Sequence, residues 1–357
     1  MKYRILIALS VIIASTLQAQ DVVQLVPEKF NDYALNYYLP TTVVEVEFVA
    51  TQTTDKAGPY YQYAQKYLGT SDAITEDRQR CTLDYARMIT RGIANTENRY
   101  QLTFKAGQTP YIFVNQEGCI LSINTAPDSL TNDEFPPVEK DQISDVDTHK
   151  ALTEEMLMSG SIAKMAELAA KQIYRIRESR MNLLTGEADN MPSDGESLKI
   201  IIEQLDKQEA ALTALFLGTT STKHITKRIK YMPQDDVKNG ILMRFSDVYG
   251  FVDADNLCGA PIYLSVEVVE KGEYPVDEKG VIKKVPKGAV AYCIPGKANI
   301  KLQYEKKTLC EEAISVAQLG VVFGLSPSLL TSKKEPTFVI FNPDTGGISE
   351  IGTISAE

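Results

Sequence analysis

The chain has 357 residues, of which 44% are hydrophobic and 24% charged, and its formal net charge at pH 7 is −10. This acidic balance argues against nucleic acid as a partner and against an anionic membrane surface, since both attract cationic patches. After the N-terminal segment no run of 18 or more apolar residues occurs, which predicts a globular protein without a transmembrane segment.

The first predicted element is a secretory signal over residues 1–19. Lys2 and Arg4 supply its positive start, and residues 5–14 form an apolar run too short to span a bilayer. No cysteine precedes Cys81, so a mature N-terminus offers no site for lipidation. We therefore expect an exported protein of the periplasm or the cell surface that is not lipid-anchored.

Residues 20–150 are predicted to form a β-rich unit with one short tyrosine-rich helix. Between positions 44 and 48 apolar residues alternate with Glu45 and Glu47, which is typical of a half-buried strand. The two glutamates share one strand face about 6.6 Å apart, and a solvent face is favoured over a catalytic acid pair. Further predicted strands, including one hairpin, lie at 81–90, 100–104 and 111–123.

The short helix is predicted at "GPYYQYAQKYLG", residues 58–69. On a helix Tyr60, Tyr63 and Tyr67 fall on one side, with Tyr61 beside them. Either the rings pack inward and hold the helix to a sheet, or they form a sugar-binding platform. The helical spacing favours packing, and the candidate ligand-binding residues are Tyr60, Tyr61, Tyr63 and Tyr67.

Residues 151–218 are predicted to form a long antiparallel helical hairpin. Apolar residues recur in steps of three and four from 162 to 184, and a second apolar face runs from 198 to 216. Ser193 and Glu196 form a capping-box pattern at the start of the second helix.

Residues 219–357 are predicted to form a second β-rich unit that ends in another hairpin. The turn of that hairpin, with Asn342 and Gly346, echoes the earlier turn with Asn115 and Gly118. Either an internal duplication or shared turn chemistry explains the echo. The predicted fold class is therefore α+β, with two β-rich units separated by the helical hairpin.

Motifs for catalysis are scarce in this sequence. It has two histidines, His149 and His224, and no G-x-S-x-G elbow, H-E-x-x-H motif or glycine-rich phosphate loop. A hydrolase acting on envelope glycans or peptides would need His224 or the acid pair of Glu45 and Glu47. The sequence favours a protein that is not an enzyme and that has no cofactor.

Cysteines and acidic clusters predict no metal site. Buried thiols are favoured over a single disulfide, and the odd number of cysteines leaves at least one unpaired. Calcium could bind at 187–196 or 253–256, but helix capping and turn chemistry also explain these clusters. A calcium-stabilised surface module is thus an alternative function. The five cysteines are Cys81, Cys119, Cys258, Cys293 and Cys310.

Several stretches together resemble one family of proteins. They are "GPYYQYAQKYLG", "IYRIRESRMNLLTGEADNMPSDGESLKI" with the helical residues after it, "VDADNLCGAPIYL" and "FNPDTGGISEI". The family consists of exported Bacteroidetes proteins catalogued as domain of unknown function 4831, and the resemblance covers nearly the whole mature chain. It implies an envelope protein and supplies no catalytic residues. The leading hypothesis is a non-catalytic binding or scaffolding component of the envelope with a protein or glycan partner, its helical hairpin being suited to helix-mediated contacts.

Overall fold

The structure is a computed structural model that describes residues 23–25, 33–104, 110–127, 134–142, 148, 151–192, 194–330 and 337–353. The predicted signal, residues 1–19, and His149 lie outside the described residues. The strands are β1 Val23–Leu25, β2 Tyr33–Lys56, β3 Arg78–Phe104, β4 Ile112–Val114, β5 Ile120–Ile123, β6 Thr219–Tyr231, β7 Val237–Ser246, β8 Gly250–Val252, β9 Ala260–Glu270, β10 Val290–Tyr304, β11 Lys307–Leu325, β12 Thr337–Phe341 and β13 Ile348–Thr353. The helices are α1 Ala64–Leu68, α2 Glu154–Leu157, α3 Ile162–Thr185, α4 Gly195–Leu217 and α5 Pro327–Leu330, and a 3-10 turn spans Tyr61–Tyr63.

The predicted fold class, α+β with two β-rich units separated by a long helical hairpin, is wrong. Of the described residues 48% lie in strands and 22% in helices, so the protein is mostly β-sheet. Strands that precede the helices pair with strands that follow them, since β2 pairs with β6 and β5 pairs with β12. The helices therefore do not divide the molecule, and strands from both ends of the chain build common sheets.

The strands form three antiparallel sheets. The terminal sheet has the order β1-β4-β5-β12-β13, the C-terminal sheet β11-β10-β9-β7-β8, and the three-stranded sheet β3-β2-β6. The long strand β2 is the centre of the three-stranded sheet and pairs with β3 and β6 along most of its length. This sheet carries the side chains of the candidate site.

The largest apolar cluster joins the three-stranded sheet to the C-terminal sheet. Its fully buried members include Val44, Val46 and Phe48 of β2, Ile262 of β9 and Ile300 of β10. The predicted alternation is thus confirmed for the apolar side of β2, whereas the expected solvent face is wrong for Glu47, which is buried. Because successive strand residues point to opposite faces, Glu45 and Glu47 lie on the other side of the sheet.

Helices α3 and α4 lie side by side and are linked by ion pairs between their exposed faces. Arg177 donates to Glu209 over 2.6 Å, and Arg180 contacts Asp206 over 2.5 Å. The start of α4 differs from the capping box that was predicted for Ser193 and Glu196. The N-cap is Asp194, whose carboxylate accepts the Ser197 amide over 2.8 Å. Ser193 lies outside the described residues.

The two asparagine turns that echo each other in sequence have corresponding backbone bonds, although the second turn is one residue longer. In each, the asparagine closes the turn and a glycine carbonyl accepts an amide from a long strand. The first turn docks on β2 and the second on β10, beside register shifts at Pro40 and Pro295. The matching bonds are Asn115 N to Cys119 O (2.9 Å), Gly118 N to Asn115 O (3.0 Å) and Tyr38 N to Gly118 O (3.0 Å) in the first turn, and Asn342 N to Gly347 O (2.7 Å), Gly346 N to Asn342 O (2.8 Å) and Cys293 N to Gly346 O (3.0 Å) in the second.

Candidate functional site

A ladder of opposite charges crosses the three-stranded sheet on the face away from the core. Glu47 of β2 lies opposite Arg87 of β3 and Arg228 of β6. Glu45, two residues earlier, lies opposite Lys230 of β6. Opposite charges directly across a ladder stabilise a sheet by about 0.2–1 kcal/mol per pair. The register therefore places each acid beside cations.

Glu47 is buried because a covering segment, residues 134–142, lies over it. The side chain of Glu47 is 2% exposed and accepts hydrogen bonds over 2.7 Å from Nε of both Arg87 and Arg228. The guanidinium carbons of both arginines lie 5.3 Å from the centre of the Phe135 ring. Arg87 also donates to the carbonyl of Pro136. This cluster fastens the covering segment to the sheet.

Glu45 is held between Arg91 and Lys230. Nε of Arg91 donates to its carboxylate over 3.1 Å and Nζ of Lys230 over 2.9 Å. Burial raises the pKa of Glu45, but Lys230 and Arg91 together outweigh burial, and the pKa is below its ordinary value. Glu45 is therefore ionised at neutral pH and is not suited to donate a proton. The acid-pair form of the hydrolase hypothesis gains no support from Glu45.

The Glu45 ion pairs form one wall of a cleft of about 450 Å³, which we call the polar cleft. The opposite wall is the first asparagine turn, fixed because Asn115 Oδ1 accepts the Cys119 amide over 2.8 Å. The Glu117 carboxylate in turn accepts the Ala94 amide of β3 over 2.8 Å. The lining residues are Glu45, Arg91, Gly92, Ile93, Asn115, Gln116, Glu117 and Lys230.

The polar cleft offers both signs of charge and amide groups from side chains and main chain. Its lining residues include no aromatic ring of the kind on which sugars stack. The cleft could not be predicted from the sequence, because its walls come from three strands and a turn that are far apart in the chain. The cations within residues 219–231 were the available signal.

The tyrosine segment packs into an apolar cluster that also contains buried residues of α3 and α4. Tyr60 is 4% exposed, and its ring centre lies 5.5 Å from that of Phe216 in α4. Tyr63 and Tyr67 are half-buried with ring centres 6.2 Å apart, and Tyr61 is half-buried as well. The structure thus directs Tyr60 inward. As a ligand-binding set the four tyrosines stay a prediction.

His224, the base that a hydrolase would need, is tied to the covering segment. Its backbone amide donates to Asp141 over 2.7 Å, and its Nδ1 lies 3.5 Å from the same carboxylate. A histidine in this position joins strand β6 to residues 134–142. The contacts of His224 with Asp141 are thus a structural tie between the two segments.

The five cysteines are free thiols in this structure. Cys81, Cys119 and Cys293 are buried, and burial raises the pKa of Cys119 to about 12 and that of Cys293 to about 11. Thiols with such high pKa values are poor nucleophiles at neutral pH. The prediction of buried thiols is thus correct for these three cysteines, whereas Cys310 is partly buried and Cys258 is exposed.

The two acidic clusters are explained by local hydrogen bonds. Asp194 caps α4, and Asp253 accepts the Asn256 amide through its carbonyl over 3.0 Å in a turn. Among the described residues no group of three or more histidine, cysteine, aspartate or glutamate side chains is arranged to hold a metal ion.

Fold and site together define a mostly β protein with a polar, ion-paired cleft on its three-stranded sheet. The family described as Domain of unknown function (DUF4831) matches residues 33–349, and the chain belongs to this family. Neither the curated proteins nor the solved structures contain a match. In the part of the chain that the structure describes, every helix is too short or too polar to cross a membrane.

Proposed function

We propose that this protein is an exported, non-catalytic binding component of a Bacteroidetes cell envelope, and that the polar cleft binds a polar peptide segment of a partner protein. The observation that carries the proposal is the pairing of Glu45 with Arg91 and Lys230 at the wall of the cleft. Such a wall is preformed and charged, yet its carboxylate is already neutralised by cations. It is arranged for recognition rather than for proton transfer.

A peptide fits the cleft better than a glycan. Peptides carry both signs of charge as well as amide groups, and each has a complement among Glu117, Lys230 and the main chain at Ile93. Sugar sites use exposed aromatic faces, and the cleft lining has none. The partner class is therefore a protein with a charged, extended segment.

The experiment selects ligands from a random peptide library displayed on phage, with a glycan array in parallel. We expect charged peptides to bind the wild-type protein and to bind the Lys230→Met variant about tenfold more weakly, because one charged contact is lost. The matched control is Lys297→Met, since Lys297 pairs with Glu270 across strands of another sheet. Its peptide affinity should equal that of the wild type.

Three results would contradict the proposal. Binding to glycans alone would assign the site to sugars, and peptide affinity indifferent to Lys230→Met would place the ligand elsewhere. Selected peptides that are cleaved during incubation would support the hydrolase alternative.

Export is tested separately from binding. We expect the chain in the envelope fraction of its native cells, with an N-terminus near Gln20 after removal of residues 1–19. A chain found in the cytosol with Met1 intact would overturn the envelope assignment and leave the cleft proposal to be judged on peptide binding.

A further inference from the structure

A small hairpin projects from the connection between β9 and β10. Val276 and Ile282 face each other in an antiparallel bridge, and the Asp277 amide donates to the Val281 carbonyl over 2.8 Å. We call residues 274–288 the lysine hairpin. Its backbone bonds give it a defined shape.

Apolar side chains of the lysine hairpin are exposed at its tip. Val281 is 61% exposed and Ile282 is 58% exposed. Val281 follows the turn and Ile282 lies in the bridge, whereas Val285 and Pro286 at the base lie beside Gly324 of β11. Tyr274, Val276 and Val285 are exposed as well. A cluster of exposed apolar side chains marks an interaction surface.

The charge of the hairpin is opposite to that of the protein. Residues 274–288 contain four lysines and two acids, a net charge of +2, whereas the whole chain has −10. Asp277 is occupied within the hairpin, since its carboxylate accepts the amides of Lys279 and Val281 over 2.9 Å each. The exposed lysines are Lys279, Lys283, Lys284 and Lys287.

The combination of lysines with apolar side chains matches the surface of an anionic bilayer, where apolar groups enter the interface and cations meet the headgroups. A narrow tip that carries apolar side chains beside lysines can enter such an interface without burying the rest of the protein. The exposure of Val281 and Ile282 beside Lys283 and Lys284 therefore favours lipid.

We propose that the lysine hairpin inserts its tip into the headgroup region of an anionic lipid bilayer and holds the protein reversibly at that surface. The proposal does not depend on the polar cleft, which lies on another sheet. The acidity of the chain argues against an anionic membrane for the molecule as a whole, and the hairpin is the local exception.

The test uses the mature chain, residues 20–357, and vesicles of phosphatidylglycerol with phosphatidylethanolamine. We expect cosedimentation with these vesicles to fall about fivefold or more with phosphatidylcholine vesicles or in 0.5 M salt, because screening weakens the attraction of lysines to headgroups. The chain has no tryptophan, so Val281→Trp is a clean reporter of insertion. Its emission should shift to the blue when anionic vesicles are added.

Matched variants separate the hairpin from other exposed apolar groups. We expect a Val281→Asp and Ile282→Asp double variant to lose vesicle binding while its melting temperature stays unchanged, because both side chains are exposed. The control is Tyr249→Asp with Leu257→Asp, whose side chains are 72% and 82% exposed on other loops. Control binding should equal that of the wild type.

Several results would overturn the proposal. They are no binding to anionic vesicles, equal losses in the hairpin and control variants, and an unshifted Val281→Trp emission in bound protein, which would mean surface adsorption without insertion. Absence of vesicle binding, together with a copurifying protein that the Ile282→Asp variant loses, would assign the hairpin to a protein partner.

Discussion

Glu47 is a carboxylate with almost no contact with water. Placing an ionised group in such a position is costly unless each oxygen is paired, and Arg87 and Arg228 each bond one oxygen. Phe135 closes the arrangement by lying against both guanidinium groups. The ion pairs of Glu47 therefore help to hold the covering segment on the sheet.

The Glu47→Gln variant should lower the free energy of unfolding by about 3 kcal/mol, measured by urea denaturation with circular dichroism. The loss arises because two guanidinium groups keep their positions without a full negative charge between them. The control is Glu270→Gln, whose partner Lys297 and own side chain are both mostly exposed. It should cost about 0.5 kcal/mol or less. Equal effects of the two substitutions would show that Glu47 is not a buried anchor.

At the scale of elements, the two asparagine turns hold the long strands β2 and β10 in place through backbone hydrogen bonds. The second turn also reaches β3, where Thr90 donates to the Asp344 carboxylate over 2.6 Å and the Gly92 amide donates over 3.2 Å. A side chain at position 92 has no space, because an added Cβ would collide with the Pro343 carbonyl oxygen. The close approach of turn and strand thus requires glycine.

The Gly92→Ala variant should lose about 2 kcal/mol of unfolding free energy, since the turn must move away from β3. The measurement is again urea denaturation. Gly195→Ala is the matched control, because nothing lies within 4 Å of an added Cβ and the position begins helix α4. That variant should be as stable as the wild type or slightly more stable. A neutral Gly92→Ala would mean that the turn is only loosely docked.

Local patterns predict elements of this protein well and predict their partners poorly. Apolar spacing indicated helical segments where α3 and α4 lie, and alternation indicated β2. Strand β3 was expected as two pieces, because the polar stretch 91–99 resembles a loop; in the structure it continues past a register shift opposite Pro40. Neither the pairing of β2 with β6 nor the burial of Glu47 follows from nearby residues, since both depend on segments far along the chain.

The candidate site could not be predicted from the sequence for the same reason. Sequence analysis considered Glu45 with Glu47, and separately His224 of β6, without a register to join the two strands. Lys230 lies 185 positions after Glu45 in the sequence and opposite it in the sheet. The tyrosines, by contrast, stand together in sequence, and the structure places Tyr60 in the interior.

The molecule is held together by pairs of strands in which one strand precedes the helices α3 and α4 in the sequence and the other follows them. Its largest apolar cluster combines β2 and β3 with strands β7, β9, β10 and β11, and its terminal sheet combines β5 with β12. Removing either end of the chain would therefore expose apolar surface and leave strands unpaired. Such a structure depends on contacts between residues far apart in the sequence, and contacts of this kind form slowly during folding.

The segment 219–357 expressed alone should show no cooperative unfolding, because β6 loses β2 and the largest cluster loses Val44, Val46 and Phe48. The measurement is urea denaturation of the fragment beside residues 20–357. Mixing with the complementary fragment 20–218 should restore a cooperative transition. A fragment that unfolds at the urea midpoint of residues 20–357 would show that this half is an independent domain.

The five thiols have a consequence for how the protein is made. The fold closes with every cysteine unpaired, and the three buried sulfurs are packed as small apolar groups. Folding to this structure therefore requires no disulfide bond to form. The same native state should form with or without oxygen.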